Sequence, residues 1–226
     1  MSKKGLVKFM SENIYVVNHP LVAHNLTVLR DKNSDTEKFN QALKRISYAL
    51  FFEGTKFLPT VEKQVSTPIC DTKSPVINPE IEIIVSPILR AGLVFSDVAQ
   101  ELLPFCHIHH LGMYRNEETL EPIWYYNKMK GKLKDPLKTF VFILDPMLAT
   151  GNSGYDAVHN FIKQQIPEEN MIFISLISAP EGIEKLTKAY PKLKIITSKI
   201  DEKLNDKGYI VPGLGDAGDR IFNTVY

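Results

Sequence analysis

The stretch Phe140-Val-Phe-Ile-Leu-Asp145-Pro-Met-Leu-Ala-Thr150-Gly-Asn-Ser-Gly154 decides how this 226-residue chain is read. A short, wholly apolar run reads as a strand buried on both faces. It ends in an acid, and small or hydroxyl-bearing residues then open a helix expected over about 153–166. In an open α/β sheet, ligands bind beyond the carboxyl ends of the strands. The unpaired N–H groups of a helix start, with the Thr150 and Ser153 hydroxyls, form a cradle suited to phosphate. Asp145, just before the cradle, is placed to accept hydrogen bonds from sugar hydroxyls. Acid and cradle together fit a ribose 5-phosphate. An ordinary strand–loop–helix turn with a serine cap would present the same pattern, so other segments must decide.

Working outward, the same alternation continues. Residues 81–85 are a β-branched run, and a helix is expected over about 94–103. Residues 106–113 read as a strand, 171–178 as a strand, 181–189 as a helix and 193–200 as a strand, with a glycine-rich tail from Gly208. Strands apolar on both faces that alternate with helices predict an α/β fold, one parallel sheet with helices on both faces. Residues 1–35 read as an N-terminal extension that gains order at the strand candidate Ile14-Tyr15-Val16-Val17. A helical pattern follows His19-Pro20. Asp35-Thr36-Glu37-Lys38 opens a stronger helix, with Phe39, Leu43, Ile46 and Leu50 at spacings of four and three, closed by Pro59. Residues 60–79, with Pro68, Pro75 and Pro79, are expected as loop or edge strand. The aromatic run 121–128 predicts a strand in an arm at about 114–136, followed by a charged turn. The expectation is a single domain over 1–226.

Composition limits the function classes. Lys plus Arg is 27 and Asp plus Glu 26, a net charge of +1, with 44% apolar and 23% charged residues. That is ordinary for a globular chain and unlike a disordered one. It carries no general electrostatic footprint for nucleic acid. The two cysteines, Cys70 and Cys106, make no disulfide framework and no zinc pattern, and fit a reducing compartment. No signal peptide and no membrane span is expected, which leaves the cytoplasm. Gly151 is not followed by Gly-Lys-Ser/Thr, so the P-loop is absent. Gly213-Leu-Gly215-Asp-Ala-Gly218 matches G-x-G-x-x-G, but too little chain follows for a dinucleotide fold. His107-Ile-His109-His110 invites a metal, yet strand alternation would turn His109 and His110 to opposite faces.

Asp145-Pro-Met-Leu-Ala-Thr-Gly-Asn-Ser153 resembles the phosphoribosyl diphosphate signature of the uracil phosphoribosyltransferases. Three further segments share the resemblance: Pro87-Ile-Leu-Arg90-Ala-Gly-Leu93, Tyr114-Arg115-Asn-Glu-Glu-Thr-Leu-Glu-Pro122, and Gly208-Tyr-Ile-Val-Pro-Gly-Leu-Gly-Asp-Ala-Gly-Asp-Arg220. The last block is the part specific to uracil enzymes. The resemblance implies transfer of the phosphoribosyl group of 5-phosphoribosyl 1-diphosphate (PRPP) to uracil, giving UMP and pyrophosphate. Mg²⁺ is expected through substrate and water, with no direct metal ligand.

The resemblance also assigns residues. Asp145, Arg90, Arg115 and Asp216 would be catalytic. Pro146, Met147, Leu148, Ala149, Thr150, Gly151, Asn152 and Ser153 would hold PRPP together with Lys56, which stands where the family usually has arginine. Ile210, Gly215, Asp216 and Ala217 would contact uracil. Asn152 stands in place of the family's usual second glycine and would tolerate φ > 0 if required. Asn116 replaces a common aspartate. Asp219 and Arg220 are expected to form a local ion pair, and Trp124 to pack against a second subunit. Relatives assemble through an arm, so a homodimer or higher homo-oligomer is implied. Some relatives are activated by GTP, which the sequence leaves open as an effector. A competing reading is a regulator with the same fold that binds RNA or a partner and turns over little or no substrate.

Overall fold

The structure, a computed structural model, describes residues 12–116, 122–127 and 133–224, and of Arg115 the backbone alone. In chain order the elements are β1 (Ile14–Val16), α1 (Pro20–Arg30), α2 (Thr36–Thr55), β2 (Thr60–Ser66), β3 (Asp71–Ile77), β4 (Glu82–Leu89), α3 (Val94–Leu102), β5 (His107–Ile108), β6 (Leu111–Arg115) and β7 (Pro122–Asn127). They continue with β8 (Thr139–Leu144), β9 (Met147–Leu148), α4 (Asn152–Ile162), β10 (Met171–Ser178), α5 (Pro180–Ala189), β11 (Lys194–Ile200), β12 (Lys203–Leu204), β13 (Ile210–Val211) and α6 (Ala217–Phe222).

The main sheet runs β1-β11-β10-β8-β4-β6-β7, with β5 beside β4 and β9 beside β10. Its pairings are parallel apart from β6 with β7, the arm, which pair antiparallel. The central strands alternate their burial between two cores. Phe142, Leu144, Ile172, Ile174 and Ile196 face α1, α2 and α3. Val141, Ile143, Met171, Phe173 and Ile195 face α4 and α5. Helices therefore cover both faces, and strands apolar on each side follow from that. Phe39, Leu43, Ile46 and Leu50 are all buried, as their spacing along α2 predicts. Burying each contributes roughly 1.5–3 kcal/mol. Asp35 starts the helix, its Oδ1 accepting from the Lys38 N–H at 2.8 Å.

Several elements differ from the sequence reading. Residues 60–77 form a hairpin, β2 with β3, as a separate two-stranded sheet. It is largely exposed, so its side chains carry no apolar alternation to read. The expected strand over 106–113 breaks at His109-His110 into β5 and β6. There His109 is buried, edge-on to the Phe161 ring at 5.9 Å. α4 ends at Ile162, and Gln165 takes φ +66° in the turn that follows. The glycine-rich tail closes with the short helix α6. Within the stretch read as an extension, β1 is an edge strand of the main sheet, and α1 buries Val22, Leu26 and Leu29. Trp124 packs on its own chain's inner core, its indole N–H donating to Asp156 Oδ2 at 3.3 Å.

Candidate active site

Beyond the carboxyl ends of β4 and β8 lies a cavity of about 480 Å³. One wall is the loop from Asp145 to Gly154, of which the expected Pro146 is buried and does not reach the cavity; the opposite wall is the C-terminal block from Gly208 to Asp219, and Arg90 and Ala91 stand at the side. Residues more than sixty positions apart thus meet where an open α/β sheet places its ligands.

The loop owes its shape to a few local choices. Asp145 leaves β8 with its N–H bonded to the Ile174 carbonyl at 3.1 Å. Met147 and Leu148 then run beside Ile177 and Ser178 of β10. Gly151 takes φ +78°, a conformation costly for residues with a Cβ, and ends the loop without a side-chain cap. The Thr150 hydroxyl accepts from the Asn152 N–H at 3.4 Å. Tyr155 is the first residue to donate back into the helix, to the Gly151 carbonyl at 2.8 Å. The N–H groups of Ser153 and Gly154 therefore have no acceptor within α4 and lie at the cavity wall. The positive φ falls on Gly151 and not on Asn152. Asn152 is the first helical residue, with no unusual conformation to tolerate.

Asp145 carries the strongest electrostatic signature here. Its Oδ1 accepts from the Met147 N–H at 3.3 Å, and no cation offsets its burial. Part of the side chain opens to the cavity, but the protein packs densely around the rest. Desolvation pushes its pKa up to about 7. Its ionised form, poorly solvated there, is a strong acceptor for hydroxyls and is favoured by a cation brought near it.

Arg90 follows β4 after a cis Leu89–Arg90 peptide. Its guanidinium is exposed, 3.9 Å from Asp219 Oδ1 and 5.8 Å from the centre of the Phe222 ring. Just past it, a Cβ on Gly92 would stand 2.4 Å from the Leu144 carbonyl oxygen, so only glycine lets the β4 and β8 loops approach this closely. The Arg115 side chain lies outside the described atoms; its backbone ends β6. Lys56 is not brought to the cavity. It follows α2 and pairs with Glu53 at 2.5 Å.

The C-terminal block turns through three glycines with positive φ, Gly208, Gly213 and Gly215. Ile210, Gly215, Asp216 and Ala217 all reach the cavity. Asp216 caps α6, its Oδ1 accepting from the Asp219 N–H at 3.0 Å. Two arginines fix the block to α1. Arg30 holds the buried Asp201 in a two-pronged pair and donates to the Gly213 carbonyl at 2.8 Å, while Asp201 Oδ2 accepts from the Gly213 N–H at 3.0 Å. Arg220 donates to the carbonyls of Leu29, Leu214 and Asp31, over the Phe39 ring. The expected Asp219–Arg220 pair does not form, because Arg220 is spent on those carbonyls. Asp219 instead accepts from the Thr224 hydroxyl at 2.7 Å. Tyr209 lines the cavity without having been singled out in the sequence, and Asp219, expected there only as an ion-pair partner, lines it too. The signal in the sequence is that both belong to the quoted Gly208–Arg220 block.

A family model described as uracil phosphoribosyltransferase matches residues 16–224. A curated uracil phosphoribosyltransferase from Fervidobacterium nodosum is 46% identical over 211 residues, 93% of this chain and 99% of its own. One from Synechocystis is 44% identical over 212 residues, 93% and 97% respectively. A solved structure of a protein from Aquifex aeolicus superposes with a TM-score of 0.84 at 38% identity, covering 94% of this chain and all of that one. A parallel sheet with an acid and an anion cradle at its strand ends is the architecture of a phosphoribosyltransferase. Within that class, the chain belongs to the uracil phosphoribosyltransferase family.

Proposed function

We infer that the protein transfers the 5-phosphoribosyl group of PRPP to N1 of uracil, forming UMP and pyrophosphate in pyrimidine salvage. The observation that carries this reading is the shared cavity: an anion cradle and acid on one wall, and on the other a run of glycine-rich main chain able to read a base edge. Ser153 and the residues from Thr150 would seat the 5-phosphate. Asp145 would orient the ribose hydroxyls, so that the anomeric carbon is presented to the base. Arg90 and Arg115 would bind the diphosphate more strongly as charge develops on it, and arginine's planar fork suits phosphate oxygens. Positioning and leaving-group neutralisation supply the catalysis: N1 attacks the anomeric carbon opposite the departing diphosphate, the carbon–oxygen bond to the diphosphate breaks, and the N1 proton passes to water or to the released diphosphate, with no covalent enzyme intermediate.

Uracil presents carbonyl, N–H, carbonyl along one edge. Main-chain groups near Ile210, Gly215 and Ala217 would complement that edge without a side chain. Cytosine would leave site groups unpaired, a strong penalty against it.

Mg²⁺ fits the residues present. Among the described residues no group of three or more metal-binding side chains forms a cage. Asp145 and Asp216, with Asp219 beside them, line one cavity, as suits a hydrated cation held mostly by substrate phosphates. When bound, Mg²⁺ supplies neutralisation of the diphosphate. Asp145 and Asp216 would steady it through water.

The test mixes the protein, Mg²⁺ and PRPP with each base in turn, with and without GTP. UMP from uracil and no nucleotide from cytosine or purines is expected; a purine nucleotide without UMP would overturn the reading. A homodimer or larger homo-oligomer is proposed on the same family grounds, read by light scattering, and a monomer mass would refute it. Two cysteines outside any disulfide suit a cytoplasmic setting. No helix among the described residues is long and apolar enough to cross a membrane.

A further inference from the structure

Beside the phosphate loop stands a cation that belongs to no motif. Lys185 lies in α5, the helix whose Gly182 lets its backbone press against the loop: a Cβ on Gly182 would stand 2.5 Å from the Ala149 carbonyl oxygen. That closeness brings the Lys185 Cβ within 3.4 Å of where a Cβ on Gly151 would be. The Lys185 ammonium donates to Asn152 Oδ1 and lies 5.5 Å from the centre of the Tyr155 ring. Asn152 and Tyr155 are three apart in the first turn of α4 and share a face. The Tyr155 ring is itself set between His159, at 6.0 Å, and Tyr190, at 5.3 Å. A long side chain held at two points has surrendered the rotamer freedom that an exposed lysine ordinarily keeps.

The placement is electrostatically odd for a ligand-free helix. The first turn of α4 is the positive end of its dipole, where a cation is disfavoured and an anion favoured. Among the salt bridges of the described residues none involves Lys185. Lys185 does not itself line the cavity, but Asn152, which it contacts, does, and its position becomes favourable once a phosphate dianion occupies the cradle, since charges closer than a screening length of about 8–10 Å attract. Asn152 is what makes this possible, since a glycine there would offer the ammonium no acceptor. We propose that Lys185, held by Asn152 and Tyr155, is a positioning residue of the 5-phosphate subsite that strengthens binding of the phosphate end of sugar-phosphate ligands. This rests on reading residues 150–153 as that subsite.

Calorimetry with ribose 5-phosphate, UMP and pyrophosphate on the full chain tests it, with thermal melts to verify folding. In Lys185→Met, ribose 5-phosphate and UMP are expected to bind about three- to tenfold more weakly, and pyrophosphate within about twofold of the unaltered protein. Lys185→Arg should restore most of the loss. Asn152→Gly should reproduce it, and the double variant should be no weaker than either single one. In turnover, KM for PRPP should rise by the same factor with kcat within about twofold. Unchanged ribose 5-phosphate affinity in Lys185→Met, or an equal loss for pyrophosphate, would overturn the proposal. An unaltered protein that binds ribose 5-phosphate yet makes no UMP would refute the reaction and leave the lysine's binding test intact.

Discussion

Asp145, with its pKa pushed up to about 7 by desolvation, holds a proton in the folded chain at pH values where the unfolded chain, near 3.8, has lost it. Stability contributed by that proton is full below about pH 4 and drains away as pH rises through 7, because the folded state then carries a poorly solvated charge. Asp145→Asn removes the charge. It should be more stable than the unaltered protein at pH 8 by on the order of 1–3 kcal/mol in urea titrations, with the gap closing toward pH 4. The same variant should lose turnover by about a hundredfold or more, since an amide cannot match the carboxylate as an acceptor for the ribose hydroxyls. A variant both less stable at pH 8 and fully active would contradict the role given to this side chain. The adjacent acid in the cavity, Asp216, is used differently, as a helix cap whose carboxylate already accepts a backbone N–H.

Among the secondary structure elements, the connection between α1 and the C-terminal block carries the most consequence. Asp201 has a nearly inaccessible carboxylate, satisfied by Arg30 and by the Gly213 N–H. Asp201→Asn leaves a guanidinium without its countercharge and should cost about 3–5 kcal/mol, measured by urea unfolding. Because the lost bonds also define the Gly213 turn, KM for uracil should rise more than KM for PRPP. None of this was legible in the sequence. Arg30 and Asp201 are 171 positions apart and Arg220 reaches a carbonyl 191 positions away, and neither separation leaves a local pattern. What was legible was local or periodic. The apolar runs of β8 and β10, the stripe along α2, and the acid-then-hydroxyl order of the phosphate loop each reflect forces acting within a few residues. The β2–β3 hairpin is legible only as loop or edge strand because neither of its faces is buried, and Lys185 is not legible because its meaning depends on a helix packing against a loop. Asn152 was noticed as a departure, but its partner could be found only in three dimensions.

The chain is built around one mainly parallel sheet with a core on each face, and its N-terminal stretch builds part of the sheet's edge and of both cores. β1 pairs with β11, Val22, Leu26 and Leu29 are buried, and Arg30 and the Leu29 and Asp31 carbonyls hold the turn that faces the cavity. Deleting residues 1–35 should therefore abolish cooperative unfolding, seen as a featureless calorimetric trace; a truncated protein that melts sharply and binds UMP would refute this. The arrangement also bears on how the molecule is made. Arg30 leaves the ribosome 183 residues before the carbonyl of Gly213 that it must grip. Through most of elongation the nascent chain can assemble strands and helices, yet it lacks the wall proposed to seat the pyrimidine. A product released before Gly213 would keep the strands of the main sheet yet lack the wall proposed to read the base, together with the core residues Leu214, Ala217 and Ile221 that the same segment buries.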